Sequence, residues 1–308
     1  MHRTAASSSW RYVLILAFGA VCISFAAVFV KLLGRDAMGP TAIGFWRAGL
    51  GALILFAWSA AADLRPLMSR RLLVWSAVAG FIFFLDLFFW HRSIIYSGAG
   101  MATILANTQV FVVATLGYFV FRERLTLKFF SAAAAAIVGV VLLIGIGSDI
   151  EFTSEYLSGI VFGLLTGVVY GSYIVTLKRV GHRGDTPDFR VFMAWTSSFT
   201  AFYLGVASLF EEATFMPPDL YSLGVLVALA LVAQALGWWT ITTTLPRLDA
   251  ARGALVLLLQ PVLATVWGVL FFAERLSPSQ FIGAAITLGA IYVGSIRRRI
   301  KTDHKGRP

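Results

Sequence analysis

Charge is what this chain has least of. Only 13% of its 308 residues are Asp, Glu, Lys or Arg, against 59% hydrophobic, far too little polar surface for a soluble domain of this length. There is a single cysteine, Cys22, so no intramolecular disulfide can form. No His or Cys cluster has metal-ligand spacing, no Gly-x-Ser-x-Gly elbow is present, and no phosphate-binding loop sits in a strand-turn-helix setting. An enzyme is therefore not expected, nor a metal or cofactor, and an ATP-driven pump is excluded for want of a nucleotide domain. Long polar linkers are missing too: the longest, Gly181 to Arg190 and Glu211 to Asp219, are too short for a soluble domain. The first apolar stretch is too long for a signal-peptide h-region and has no small-residue cleavage site before Lys31, so it is expected to stay as a span.

What fills the chain is apolar sequence in bilayer-sized pieces, about 20 residues each. They run Tyr12 to Val30, Thr41 to Ala61, Leu72 to Ile95, Met101 to Phe121 and Phe129 to Ile146. A second set runs Leu157 to Leu177, Val191 to Phe210, Leu220 to Thr243, Ala251 to Phe272 and Phe281 to Ile296. Uninterrupted apolarity selects helices, because barrel strands alternate with period two. The expectation is an all-α integral membrane protein with ten transmembrane helices.

The net charge of +10 would suit a nucleic-acid binder, but the positions of the charges refuse that partner. Threaded from an inside start, the inside segments collect Arg65, Arg70, Arg71, Arg122, Arg124, Lys128, Lys178, Arg179 and the tail beyond Arg297. The outside segments collect only Lys31, Arg35 and Arg275, with the acids Asp149, Glu151, Glu211, Glu212 and Asp219. This asymmetry puts both termini in the cytoplasm. The partners expected are a lipid bilayer and a small-molecule substrate; a monomer suffices for such a bundle.

The second half repeats the first. At one fixed offset, Gln109 falls on Gln260, Gly117 on Gly268, Phe121 on Phe272, Glu123 on Glu274 and Phe130 on Phe281; Lys31 matches Lys178 at a slightly different spacing. Residues 1–150 would carry spans one to five, and 151–308 spans six to ten plus the basic tail. Five spans is an odd number, so the two repeats must lie inverted in the membrane, as in many secondary transporters. The paired endings Phe-Arg-Glu-Arg-Leu-Thr (Phe121 to Thr126) and Phe-Ala-Glu-Arg-Leu-Ser (Phe272 to Ser277) resemble the EamA branch of the drug/metabolite transporter superfamily. Within it, the aromatic-rich spans are most similar to YddG-type amino-acid exporters. The resemblance implies ten helices, a bacterial inner-membrane location and a central pocket. One departure stands out: the family's proline is kept as Pro261 but replaced by Val110, which puts the break of the fourth span in doubt.

Intramembrane ionisable groups usually face a cavity or a partner. Asp86 lies in Phe-Phe-Leu-Asp-Leu-Phe-Phe, near Trp90 on the helix, and could receive an ammonium group or a proton; a structural pair with Arg47 or Arg92 is the alternative. His91 and Arg92 follow, as gate residues or, for Arg92, a snorkelling cation. Arg47 could clasp a carboxylate or bond the carbonyls of a helix end. Gln109 and Gln260 could touch substrate from both sides or tie helices together. Pro261 is a candidate hinge. Gly159, Gly163, Gly167 and Gly171 read as a packing stripe beside Thr166, Tyr170 and Tyr173. Trp238, Trp239 and Trp267 lie deep enough for an aromatic pocket, and the Glu-Arg-Leu ends read as local ion pairs.

These residues point to export of small metabolites, aromatic or hydrophobic amino acids first, by alternating access. A nucleotide-sugar or phosphate-ester antiporter would need converging cations, and only Arg47 and Arg92 are available. An organic-cation exporter, a membrane scaffold and an embedded enzyme are the other readings.

Overall fold

The structure, a computed structural model of the chain, describes residues 4–33, 38–62, 64, 69–123, 125–144, 153–181, 188–273 and 278–295. All regular structure among them is helical: α1 (Thr4–Leu33), α2 (Pro40–Ala61), α3 (Arg70–Asn107), α4 (Gln109–Phe121), α5 (Leu127–Ile144), α6 (Ser154–Gly181), α7 (Phe189–Ser208), α8 (Leu220–Leu229), a π-helical stretch (Ala230–Gly237), α9 (Trp238–Thr244), a 3-10 turn (Leu245–Arg247), α10 (Ala250–Leu257), α11 (Leu259–Phe272) and α12 (Pro278–Ser295). Among the described residues six helical segments, between 22 and 28 residues long, are apolar enough to cross a membrane; Leu105–Phe121, Leu127–Leu142 and Phe281–Val293 are shorter apolar helices. Leu14, Phe18, Leu53, Phe119, Leu164, Phe202 and Phe281 are all exposed, an outer surface that hydrocarbon solvates and water would not.

Helix boundaries depart from the expected ones in two places. The chain was expected to leave the helix between Ile95 and Met101, but the backbone stays helical from Arg70 to Asn107. Straight, such a helix would reach about 57 Å, nearly twice a bilayer core. It doubles back instead. Phe83 stacks on Tyr173 and Phe89 on Phe162, so the first part of α3 runs antiparallel to α6. Leu105 meets Gly163 and Val112 meets Gly171, so the chain after the reversal runs parallel to α6. The glycine stripe lets this hairpin lie against α6, with Ser93 Oγ donating to Gly159 O at 2.9 Å.

The second departure is the break of the fourth span, which is present without the proline. Thr108 (φ −60°, ψ −14°) interrupts the helix between α3 and α4 much as Leu258 (φ −64°, ψ −7°) does between α10 and α11. In the first case Thr108 Oγ1 donates to Leu105 O at 2.6 Å, a local bond that competes with the helical ladder. A Cβ on Gly167 would lie 2.2 Å from that hydroxyl, so the break seats directly on α6. Both helices then end identically. Arg122 (φ 55°) and Ala273 (φ 52°) are the only non-glycine residues with positive φ among the described residues, and their N–H groups donate to Gly117 O and Gly268 O.

The helices pack mainly across the halves: α2 on α7, α5 on α12, α3 on α6 and α1 on the α8–α9 rod. Where α5 meets α12, Thr287 Oγ1 donates to Ala136 O at 3.5 Å, a contact between two positions that the sequence repeat superposes. The largest core cluster lies toward the end of the bundle that holds the start of α1, the end of α6 and the start of α10; its members include Leu16, Leu177, Phe192, Leu245 and Leu255.

At that same end the first Glu-Arg-Leu motif does more than pair locally. Glu123 forms a salt bridge with Lys178 of α6, and its two carboxylate oxygens accept the Ala250 N–H at 2.9 and 2.8 Å, capping α10. Lys178 Nζ also donates to Leu248 O at 2.6 Å and stands 4.8 Å from the Phe121 ring. At the opposite end Lys31 stands 4.2 Å from the Phe272 ring, the matched pair in the repeat. Arg124, Glu274, Arg275 and Ser277, like Asp149, Glu151 and the tail from Arg297, lie outside the described residues.

Candidate functional site

A cavity of about 170 Å³ lies in the middle of the bundle, lined from α1, α2, both arms of the α3 hairpin, α6, α9 and α11. From α3 it takes Phe83, Asp86, Leu87 and Trp90, a spacing of three, four and seven residues that defines one helix face. Thr166 and Tyr170 stand one turn apart on α6, Gln260, Pro261 and Ala264 come from just past the α11 break, and Trp238 opens α9. Ser24 and Asn107 add polar edges.

Two charges face this space. Asp86 is buried, 7% exposed, and the opposite charge that acts on it is Arg47. Of the two arginines that could pair with it, Arg92 is bonded elsewhere, its Nη2 2.6 Å from Glu211 Oε1, with Thr41 Oγ1 on the same oxygen at 2.8 Å, and Arg47 is the cation whose charge acts on Asp86. Arg47, also 7% exposed, donates its Nε to Gln234 Oε1 at 3.1 Å and lies 5.9 Å from the Phe83 ring. It bonds a side-chain amide, where a helix-end carbonyl was the expected alternative.

The walls are aromatic. Phe83 stacks on Tyr173 at 4.8 Å with rings 13° apart, and Trp238 meets both edge-on at 5.1 and 5.0 Å. Tyr173 is fully buried beneath this floor, one turn deeper than its expected lining place. Tyr170 OH accepts from Gln260 Nε2 at 3.2 Å, so its own proton is free to donate toward the cavity.

Of the candidate residues, Asp86, Trp90, Tyr170, Trp238, Gln260, Pro261 and Arg47 are brought together here, and His91 and Gln109 are not. One residue past Trp90 the helix has turned by about 100°, which sends His91 toward Gly44 of α2 and Leu204 of α7, its Nδ1 unpartnered. Gln109 is 1% exposed, with Nε2 3.4 Å from Ala254 O. It is a helix-to-helix tie on the packed side of its break. Trp267 lies behind the wall, donating to Ser24 Oγ at 2.7 Å, and Trp239 packs on Trp58. Gln234, which bonds Arg47, is not among the candidates drawn from the sequence. Its signal was an amide in the most apolar part of a span, where an unpaired polar group is costly.

A bundle with an apolar exterior and a charged, aromatic-walled cavity at its centre is the build of a membrane transporter. The chain belongs to the EamA-like transporter family, whose pattern matches residues 10–145 and again 157–296. It is 25% identical over 209 residues to a protein of Salmonella typhimurium named "Probable amino-acid metabolite efflux pump", covering 66% of this chain and 69% of that one. Its counterpart of the same name in Escherichia coli is 27% identical over 201 residues, with 63% and 67% covered. The "Uncharacterized transporter YcbK" of Bacillus subtilis is 26% identical over 310 residues, with 95% of each chain covered. One crystal structure shares the fold at a TM-score of 0.79 and 20% identity, over 92% of this chain and 96% of that one. The protein is a multi-pass membrane transporter of small metabolites.

Proposed function

We propose that the protein exports aromatic or hydrophobic amino acids by alternating access, through ten spans arranged as two inverted five-helix repeats with both termini in the cytoplasm of a bacterial inner membrane. The observation that carries this reading is the placement, within one aromatic cavity, of the Asp86 carboxylate and the Arg47 guanidinium, opposite charges that act on one another without a direct salt bridge. A zwitterion answers both: its ammonium meets Asp86, its carboxylate meets Arg47, and its side chain lies among Trp90, Trp238 and Phe83. Tyr170 and Gln260 add neutral hydrogen bonds, and Pro261 gives α11 a flexible point beside the site.

The volume supports a metabolite over a larger drug, since sites for drug-sized ligands measure roughly 300–1,000 Å³. A phosphate-ester antiporter fits less well, because Arg92 is engaged with Glu211 and Arg47 alone supplies positive charge to the cavity. Asp86 would also serve as the proton site, taking a proton when the substrate ammonium has left.

The test is uptake and counterflow in proteoliposomes with labelled amino acids, with and without a pH gradient. Saturable aromatic amino-acid transport that a gradient drives is the expected result. Asp86→Asn should abolish the gradient dependence, and Arg47→Met should lower kcat/KM by about 100-fold, the value of a charge-assisted pair. Transport of phosphorylated compounds alone, or of nothing, would overturn the reading.

A further inference from the structure

Arg47 can recognise a carboxylate in two ways, side-on through Nε and Nη2 or end-on through the Nη1–Nη2 fork. The surroundings of this arginine remove the first choice. Its Nε is occupied by Gln234 Oε1 at 3.1 Å, and Gln234 is itself fixed from its other end, its Nε2 donating to Ser197 Oγ at 2.9 Å. All of this is closed to solvent: Gln234 and Ser197 are fully buried. Arginine only donates, so the amide must present its oxygen to Arg47 and its nitrogen to Ser197.

The backbone is built around this contact. Gln234 lies inside the π-helical stretch Ala230–Gly237, whose end is marked by the Trp238 N–H reaching five residues back to Ala233 O. Such widened turns are uncommon and tend to occur at functional sites. On the facing helix, Gly51 is one turn from Arg47, and a Cβ there would lie 2.4 Å from Gln234 Cγ. The glycine therefore admits the glutamine close enough to reach the arginine. The same rod then delivers Trp238 to the cavity wall.

We infer that Gln234 is a positioning residue, which holds the Arg47 guanidinium by its Nε so that the Nη1–Nη2 fork faces the cavity end-on and selects substrates bearing a free carboxylate. This rests on the amino-acid export reading above. A tether of this kind lowers the rotamer freedom lost on binding and sets the approach of the anion. It also gives a use beyond helix tying to a doubly bonded amide in an apolar rod.

The experiment compares an aromatic L-amino acid with its decarboxylated amine in proteoliposome counterflow, reading KM for the first and the inhibition constant for the second. Gln234→Met keeps the length of the side chain and removes both hydrogen bonds. The expected result is a rise of about 10-fold in KM for the amino acid, the worth of one hydrogen bond to a charged group, with the amine constant changed by less than about twofold. Ser197→Ala, a milder change that leaves Gln234 in place, should shift the same ratio by about threefold. If the two constants move together in both variants, or the ratio stays at the wild-type value in Ser197→Ala and in a folded Gln234→Met, Gln234 is structural and the inference fails alone. If the wild type shows no saturable amino-acid exchange, the transport reading falls and takes this one with it.

Discussion

The broken helices that end at Phe121 and at Phe272 are the same device built twice with different parts. Both copies break near the middle, at Thr108 and at Leu258, and both end on a left-handed residue bonded to a glycine carbonyl five residues back. The first copy makes its break with a hydroxyl, the second has a proline beside it. The glutamines that follow the two breaks then part company. Gln260 reaches Tyr170 at the edge of the cavity, while Gln109 is sealed against Ala254 O. The repeat thus preserves backbone geometry and lets side-chain roles diverge. Charge diverges in the same way: Arg47 and Asp86 both belong to the first half, and the second half answers with Gln234, Gln260 and Trp238.

The largest way to break the comparison is at the end of the first copy. Glu123→Gln would neutralise the carboxylate that Lys178, whose side chain is 3% exposed, bonds from α6 and would weaken the cap on α10. A loss of about 3 kcal/mol is expected, the usual cost of stripping one partner from a buried pair, read as a lower thermal midpoint in detergent. Gly167→Ala comes next. Its methyl would meet Thr108 Oγ1 at 2.2 Å and Leu105 O at 2.9 Å, so overpacking should cost about 2 kcal/mol. Gly224, with nothing within 4 Å of a new Cβ, is the control; its alanine variant should gain about 0.5–1 kcal/mol from helix propensity.

The glutamines sharpen the contrast. Gln260→Leu should raise KM about threefold to tenfold with little change in the thermal midpoint, and Gln109→Leu should leave KM unchanged and alter stability by about 1 kcal/mol. Equal effects on KM would show that both enter the substrate path. The smallest effect separates α7 from α2, its counterpart in the first half. Asp188 caps α7, accepting from the Arg190 N–H at 2.8 Å and from its guanidinium, whereas α2 starts at Gly39 with no side-chain cap. The bonds from Arg190 hold the Asp188 carboxyl below its ordinary range. Its stabilisation is therefore present above about pH 4 and is lost as the pH falls through the lowered value. Thermal midpoints of wild type and Asp188→Asn should converge below that pH; a constant gap would show that the cap acts without its charge.

Most of the helices were legible because a span is written in consecutive apolar residues, and the face carrying Asp86 because Phe83, Leu87 and Trp90 fall at helical intervals. Between Ile95 and Met101 Gly-Ala-Gly reads as a loop, yet the chain reverses there in helical backbone packed close on the α6 glycines. His91 and Gln109 failed as cavity candidates for a rotational reason: neighbours on a helix differ by about 100°, and apolar sequence all round gives no cue to which side faces inward. The partners of Arg92, Glu123 and Arg47 lie between 55 and 187 residues away, beyond any local pattern.

By itself the sequence determined that this chain lives in a bilayer, that it crosses as helices, and that its two halves share one plan. Hydrophobicity and repetition are properties of composition and order, and they need no contacts to be read. Only the tertiary structure decided which buried charges meet which partners, because that depends on which helix faces meet. Asp86 and Arg47 were left facing one cavity, Arg92 was given Glu211, and Arg47 was held through its Nε by Gln234.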